Sequence, residues 1–215
     1  MWICRFFVVF CLIWGAFQTA FAQSVDVSAL KIEGFVKGTR YEFNPAYAEK
    51  YDVKVPAAFS FIAPTSDEHM NFVKPAPGGV GIFKIFFTTT EKQVKSNLQF
   101  VPFTVAMGPV DERLDSLKVQ LNNAFVASVP DPDRSEINAM RKTEIGPYPA
   151  IEVFGRYDAG EDGIVVLRIT AIPHPENENG VVAIINGLTK NFPMQKVGDV
   201  LNTDASKALT TFRFQ

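Results

Sequence analysis

The amino-acid sequence predicts an α+β fold in which a mainly antiparallel sheet is flanked by helices. Two β-rich runs, residues 150–157 and 164–172, are separated only by the polar Asp158-Ala159-Gly160-Glu161-Asp162-Gly163, which is the signature of a hairpin. Leu114, Leu117, Leu121 and Phe125 recur at helical spacing, and so do Leu201, Ala205, Ala208, Leu209 and Phe212. The strand-like runs follow one another through short polar connections, which pairs them antiparallel and leaves two apolar helix stripes to be buried against the sheet.

Taken in chain order, the first segment reads as an export leader. Arg5 supplies a positive start, residues 6–17 are almost uninterruptedly apolar, and Ala20-Phe21-Ala22 sets small residues at the −3 and −1 positions of a cleavage site before Gln23. The apolar run is shorter than the roughly 20 residues a membrane span needs. An uncleaved anchor is the competing reading. Cys11 follows the bulky Phe10 inside the apolar run, which is the wrong place for lipid attachment. The expected organisation is therefore a signal peptide over residues 1–22 and one exported α+β domain over 23–215, with no membrane span left after cleavage. Both cysteines, Cys4 and Cys11, and both tryptophans, Trp2 and Trp14, leave with the leader. The mature chain then has no thiol for a disulfide, a nucleophile or a metal, and packing alone must stabilise it. An exported domain without disulfides suits a periplasm, or the medium beyond it, and no Asn-x-Ser/Thr signal occurs after residue 22.

After the leader, Leu30-Lys31-Ile32 and Phe35-Val36 suggest a short strand before a turn at Gly38. Residues 51–55 alternate up to Pro56, and Phe59-Ser60-Phe61 alternates before Pro64; both read as strand pieces ended by proline. Residues 75–81 are rich in turn formers. Residues 80–88 place apolar side chains on both faces, as a covered central strand does. Residues 88–96 read as a polar connection, and 103–107 as a strand limited by Pro102. The first helix follows Gly108-Pro109 with Asp111 as its expected N-cap, and Pro130-Asp131-Pro132-Asp133 ends the segment. A strand meander comes next, over 137–145, 150–157, 164–172 and 181–185. The closing helix takes Asn202 or Thr203 as cap.

Several of these pieces together resemble a known family. Val-Pro-x-x-Phe-Ser-Phe at 55–61, the helix between two sheet segments, the Tyr-Pro-Ala-Ile-Glu-Val-Phe and Ile-Val-Val-Leu-Arg-Ile hairpin strands, and Ala-Leu-Thr-Thr-Phe-Arg-Phe at 208–214 are similar to the PsbP-like α/β/α sandwich superfamily. The resemblance covers most of the mature chain. It implies that sandwich fold and an accessory binding role, and it carries no functional residue onto a matching motif here.

Composition and motifs narrow the chemistry. A net charge of −2 with charges of alternating sign gives no basic patch for nucleic acid. No Gly-x-Ser-x-Gly elbow is present, and His69 and His174 are the only histidines that could serve as a base. His174 stands in Pro173-His174-Pro175-Glu176-Asn177-Glu178-Asn179-Gly180, so His174, Glu176 and Glu178 are the candidate metal ligands. The same residues also read as an exposed turn whose prolines and Asn-Gly stop a strand. Asp131, Asp133 and Ser135 imitate a calcium loop, but Glu136 and Lys142 stand where glycine and glutamate are required. Asp158, Glu161 and Asp162 read as hairpin-loop acids. Lys74-Pro75-Ala76-Pro77-Gly78-Gly79-Val80-Gly81 leads into a strand instead of the helix a phosphate cradle uses. No catalytic residue and no cofactor is assigned.

The expected function is accordingly that of a non-enzymatic, exported accessory domain of the bacterial envelope that binds a protein partner. A small-ligand or lipid-binding periplasmic module, holding an apolar ligand between helix and sheet, is the alternative. A hydrolase ranks third, and would require convergent side chains in one cleft.

Overall fold

The structure, a computed structural model, describes residues 38–64, 69–75 and 81–215. The leader, the strand expected near residues 30–36 and the glycine pair at 78–79 lie outside the described residues.

The N-terminal part builds a small sheet. Strand β1 (Thr39–Phe43) is followed by helix α1 (Pro45–Tyr51) and strand β2 (Phe59–Ala63). The Asn44 side chain accepts from the Tyr47 amide at 3.1 Å, and Pro45 occupies the first turn, where its missing N–H costs nothing. Asp52 ends the helix in the left-handed region at φ 52°. This corrects the expectation of a strand over 51–55: Tyr51 closes a helix, because the local cap outweighs an alternating pattern of five residues. β2 pairs antiparallel with β1 on one side and with β10 (Arg213–Phe214) on the other.

The large sheet has seven antiparallel strands. They are β3 (Met70–Val73), β4 (Phe83–Thr88), β5 (Val94–Thr104), β6 (Ser135–Ile145), β7 (Tyr148–Asp158), β8 (Ile164–Pro173) and β9 (Asn179–Leu188), in the order β3-β4-β5-β9-β8-β7-β6. The expected hairpin is β7–β8, in register from Asp158↔Ile164 to Ile151↔Ala171. Strand β5 departs from expectation, because it runs straight through Pro102. Phe100 accepts from the Ile82 amide on the β4 side, so Pro102, two residues on, turns its missing N–H to that same side. There β4 has already stopped pairing, since Phe83↔Phe100 is its last partner pair. The proline therefore leaves no hydrogen bond unmade.

Helix α2 (Val110–Ser128) follows Pro109, so Asp111 lies in the first turn and is not the cap. Asp111 and Glu112 still complement the positive end of the helix. Its stripe of Leu114, Leu117, Leu121 and Phe125 packs on Ile151, Val153, Leu167, Ile169 and Ala171 of β7 and β8. On the other face lie the small sheet, a 3-10 turn over Val197–Asn202 and helix α3 (Asp204–Thr210), which Thr203 caps by accepting from the Ser206 amide. The space between the layers is filled by aromatic rings. Phe43 stacks on Phe83 at 4.0 Å, Phe59 lies 5.0 Å from Phe100, and Phe212 lies 5.3 Å from Phe59. The architecture is thus helix, sheet, and a second layer of helix with strands, as α+β patterning requires.

Candidate functional site

The turn carrying the candidate metal ligands joins β8 to β9. His174 is half-buried, its ring 4.6 Å from that of Phe214, and its Nδ1 accepts from the Glu176 amide at 3.1 Å. Glu176 and Glu178 are exposed, and the Glu178 carbonyl accepts from the Val105 amide. Buried Arg113 clamps the turn from α2, donating through Nη1 to the His174 carbonyl at 2.8 Å and through Nη2 to the Asn177 carbonyl at 2.9 Å. Among the described residues no three of His, Asp, Glu and Cys gather as a metal set. The geometry is that of a fastened turn in which Nδ1 is already engaged.

The other acids and the second histidine are likewise in local structure. Asp131 caps a 3-10 turn by accepting from the Asp133 amide at 3.1 Å. Asp158 accepts from the Gly160 amide and pairs with Arg134, which together hold its carboxyl below the usual range. Glu161 and Asp162 form the 3-10 turn of that hairpin. His69 adjoins β3, beside the row Met70↔Phe87, whereas His174 follows Pro173↔Gly180 at the opposite end of the sheet. The two imidazoles are not brought together.

Among the described residues, α2 covers only part of the sheet face it packs on. The α2 stripe packs on β7 and β8, with Val182 and Ile184 of β9 and Phe103 of β5 packed at the margin of that cluster, and no described residue of β3 or β4 joins it. Cross-strand partners share a face, so the register Val73↔Lys84↔Gln99↔Ile184 and the row Asn71↔Phe86↔Asn97↔Asn186 identify its members. Val101, Phe103 and Val182 extend it, all half-buried. Val73 is 38% exposed. Lys84 sits within this face with its ammonium 5.0 Å from the Phe86 ring, and burial lowers its pKa. At the α2 margin the Tyr157 hydroxyl donates to Asn186 Oδ1 at 3.4 Å, and Asn186 Nδ2 donates to Asn97 Oδ1 at 3.1 Å. Burial, then the charge of Asp162, raises the Tyr157 pKa. This face mixes apolar side chains with polar ones, of which Asn97 and Asn186 are fixed to each other, the mixed chemistry of a docking surface.

A second cluster escaped the sequence reading. On the opposite face, Glu152 of β7 is fully buried (0% exposed) and Arg168 of β8 nearly so (2%). Arg168 Nε and Nη2 lie 2.7 and 2.6 Å from Glu152 Oε2, and Arg141 Nε on β6 lies 2.6 Å from Oε1. Thr170 donates to Oε2 at 3.4 Å. The guanidinium carbons of Arg141 and Arg168 stand 5.5 and 5.9 Å from the Phe154 ring. The available signal was a charged residue inside an apolar run of each strand, between Ile151 and Val153 on β7 and between Leu167 and Ile169 on β8.

No family model matches the chain, and no curated protein matches it either. Solved structures do. The cyanobacterial PsbP (CyanoP) of Synechocystis sp. PCC 6803 superposes with a TM-score of 0.51 at 10% identity, over 87% of this chain and 99% of that one. A crystal structure from Bacteroides thetaiotaomicron VPI-5482 gives a TM-score of 0.42 at 11% identity over 83% of this chain, which spans about half (48%) of that chain's length. LpqN, involved in cell envelope biogenesis of Mycobacterium tuberculosis, gives 0.46 at 10% identity, over 82% of this chain and 91% of that one. The PsbP superposition supports the fold-level resemblance, and at such identity it concerns the fold alone. No helix among the described residues is long and apolar enough to cross a membrane.

Proposed function

We propose that this chain is an exported, non-enzymatic accessory protein that binds a protein partner on the sheet face of β3, β4 and β5 beside α2. The observation that carries the reading is the mismatch, among the described residues, between a seven-stranded sheet and the one helix packed on that side. A monomer ordinarily shields such a face, and an apolar patch rimmed by polar groups is the form that interaction sites take. Lys84 sets the partner's chemistry. A half-desolvated ammonium among Phe86, Gln99 and Ile184 is best answered by an apolar segment bearing a carboxylate. The lipid-binding alternative gains no support between the layers, where the rings of Phe43, Phe59, Phe83, Phe100 and Phe212 occupy the space.

The test places a photo-crosslinking side chain at Gln99, with one at Glu112 on α2 as the comparison. One reproducible adduct from Gln99, weakened by Lys84→Glu and Val73→Asp while thermal stability is kept, supports the reading. Equal adducts from both positions refute it. Export is tested by intact mass: a mature product beginning near Gln23 supports the leader, and one beginning at Met1 refutes it.

A further inference from the structure

The cluster on Glu152 carries more positive charge than it neutralises. Two guanidinium groups share one carboxylate, and the ion pairs of the described residues bring no second acid to them. Arginine does not shed its proton, so the imbalance cannot be relieved by titration. Net charge away from water is costly unless something answers it.

The unused donors show where an answer fits. Arg168 gives Nε and Nη2 to Glu152, while Nη1, fully buried, finds no acceptor among the described residues. Arg141 spends Nε alone on the protein, and its side chain is 15% exposed on edge strand β6. Among the described residues no other acceptor is seen for its two Nη groups. Phe154 lies beside both guanidinium groups, its ring centre 5.5 Å from the Arg141 carbon and 5.9 Å from that of Arg168. Three features stand together: a guanidinium on the edge strand, a buried donor without an acceptor among the described residues, and a surplus of one positive charge.

We propose that Arg141 and Arg168, braced on Glu152, form a binding site for a small oxyanion, a carboxylate or phosphate group entering over β6. Arg141 engages it with its fork, and Arg168 Nη1 supplies the inner donor. Bidentate guanidinium recognition is specific to such planar oxygen pairs. The site faces the second layer, so it is independent of the docking face on the α2 side.

The test is thermal unfolding of the purified full chain at constant ionic strength, with chloride exchanged for inorganic phosphate in one arm and for acetate in the other. The native chain should gain about 3 °C in Tm at 20 mM of the preferred anion. Arg141→Met leaves Arg168 paired with Glu152, so the variant folds with its charges balanced, and it should gain nothing. Arg141→Lys keeps the charge without the fork and should regain only part of the shift. The proposal is overturned if neither anion raises the native Tm, the result expected when water alone satisfies Arg168. It is equally overturned if Arg141→Met gains as much, which would be a general salt effect.

Discussion

Gly155 of β7 lies directly under the ring of Phe125, so α2 meets the sheet where no side chain stands. A Cβ at Gly155 would collide with the Phe125 ring and with the Glu136 carbonyl oxygen. Gly155→Ala should therefore destabilise the chain by about 1–3 kcal/mol, the usual cost of overpacking. Urea denaturation measures it. Combining Gly155→Ala with Phe125→Leu should recover part of the loss relative to the sum of the single changes, because the colliding ring is gone.

Among the described residues Glu152 is the only acid paired with Arg141 and Arg168, which makes its removal unlike theirs. Glu152→Gln leaves two guanidinium groups facing each other and should cost about 3–5 kcal/mol. Arg168→Met keeps Glu152 paired with Arg141 and should cost clearly less. Equal losses in chemical denaturation would show that the charges are not coupled as the geometry implies.

Tyr47 links stability to alkaline pH. Its hydroxyl donates to the Ile82 carbonyl at 3.1 Å, and burial, with Tyr51 beside it, pushes its pKa from 10.0 up to about 12. The folded state thus favours the neutral phenol. The contribution is whole below pH 10 and fades as pH rises from 10 to about 12. Tyr47→Phe should lose about 1 kcal/mol at neutral pH, with the hydrogen bond. Its stability should then fall less steeply between pH 9.5 and 11 than that of the native chain, as Tm measured against pH will show.

Arg113 fastens the start of α2 to the β8–β9 turn through two carbonyls. Arg113→Met should cost about 2 kcal/mol, the scale of charge-assisted hydrogen bonds. Hydrogen exchange should rise at the Asn179 and Val105 amides and stay unchanged at Leu98. Uniform exchange across the sheet would mean that the clamp has no local role.

The sequence made some features legible and hid others for identifiable reasons. The β7–β8 hairpin and the stripes of α2 and α3 announce themselves because each is a local pattern with a turn or cap at its end. Helix α1 carried its own signal in Asn44-Pro45, but its seven residues are too few for a period to stand out. Pro102 misled because proline is judged by the strand it interrupts, and only the register shows that β4 has ended there. Glu152 and Arg168 were readable as charges inside apolar strands, yet their meeting is a fact of pairing. The face beside α2 was invisible for a different reason: a stripe on α2 says that it packs on strands, and does not say which ones.

The order of the strands also shapes how the chain can reach its native state. The β3-β4-β5 group and the β6-β7-β8-β9 group meet only where β5 lies against β9, and Arg213 must come back to Ser60 to close the small sheet. Local hairpins form early, but these two closures join distant stretches and are entropically dear, so assembly is slow for a chain of this size. Until Phe212 inserts beside Phe59 and Phe100, the partly assembled sheet shows its aromatic side to solvent. An intermediate still lacking that contact would present a continuous aromatic surface, the kind that draws chains together before folding is complete.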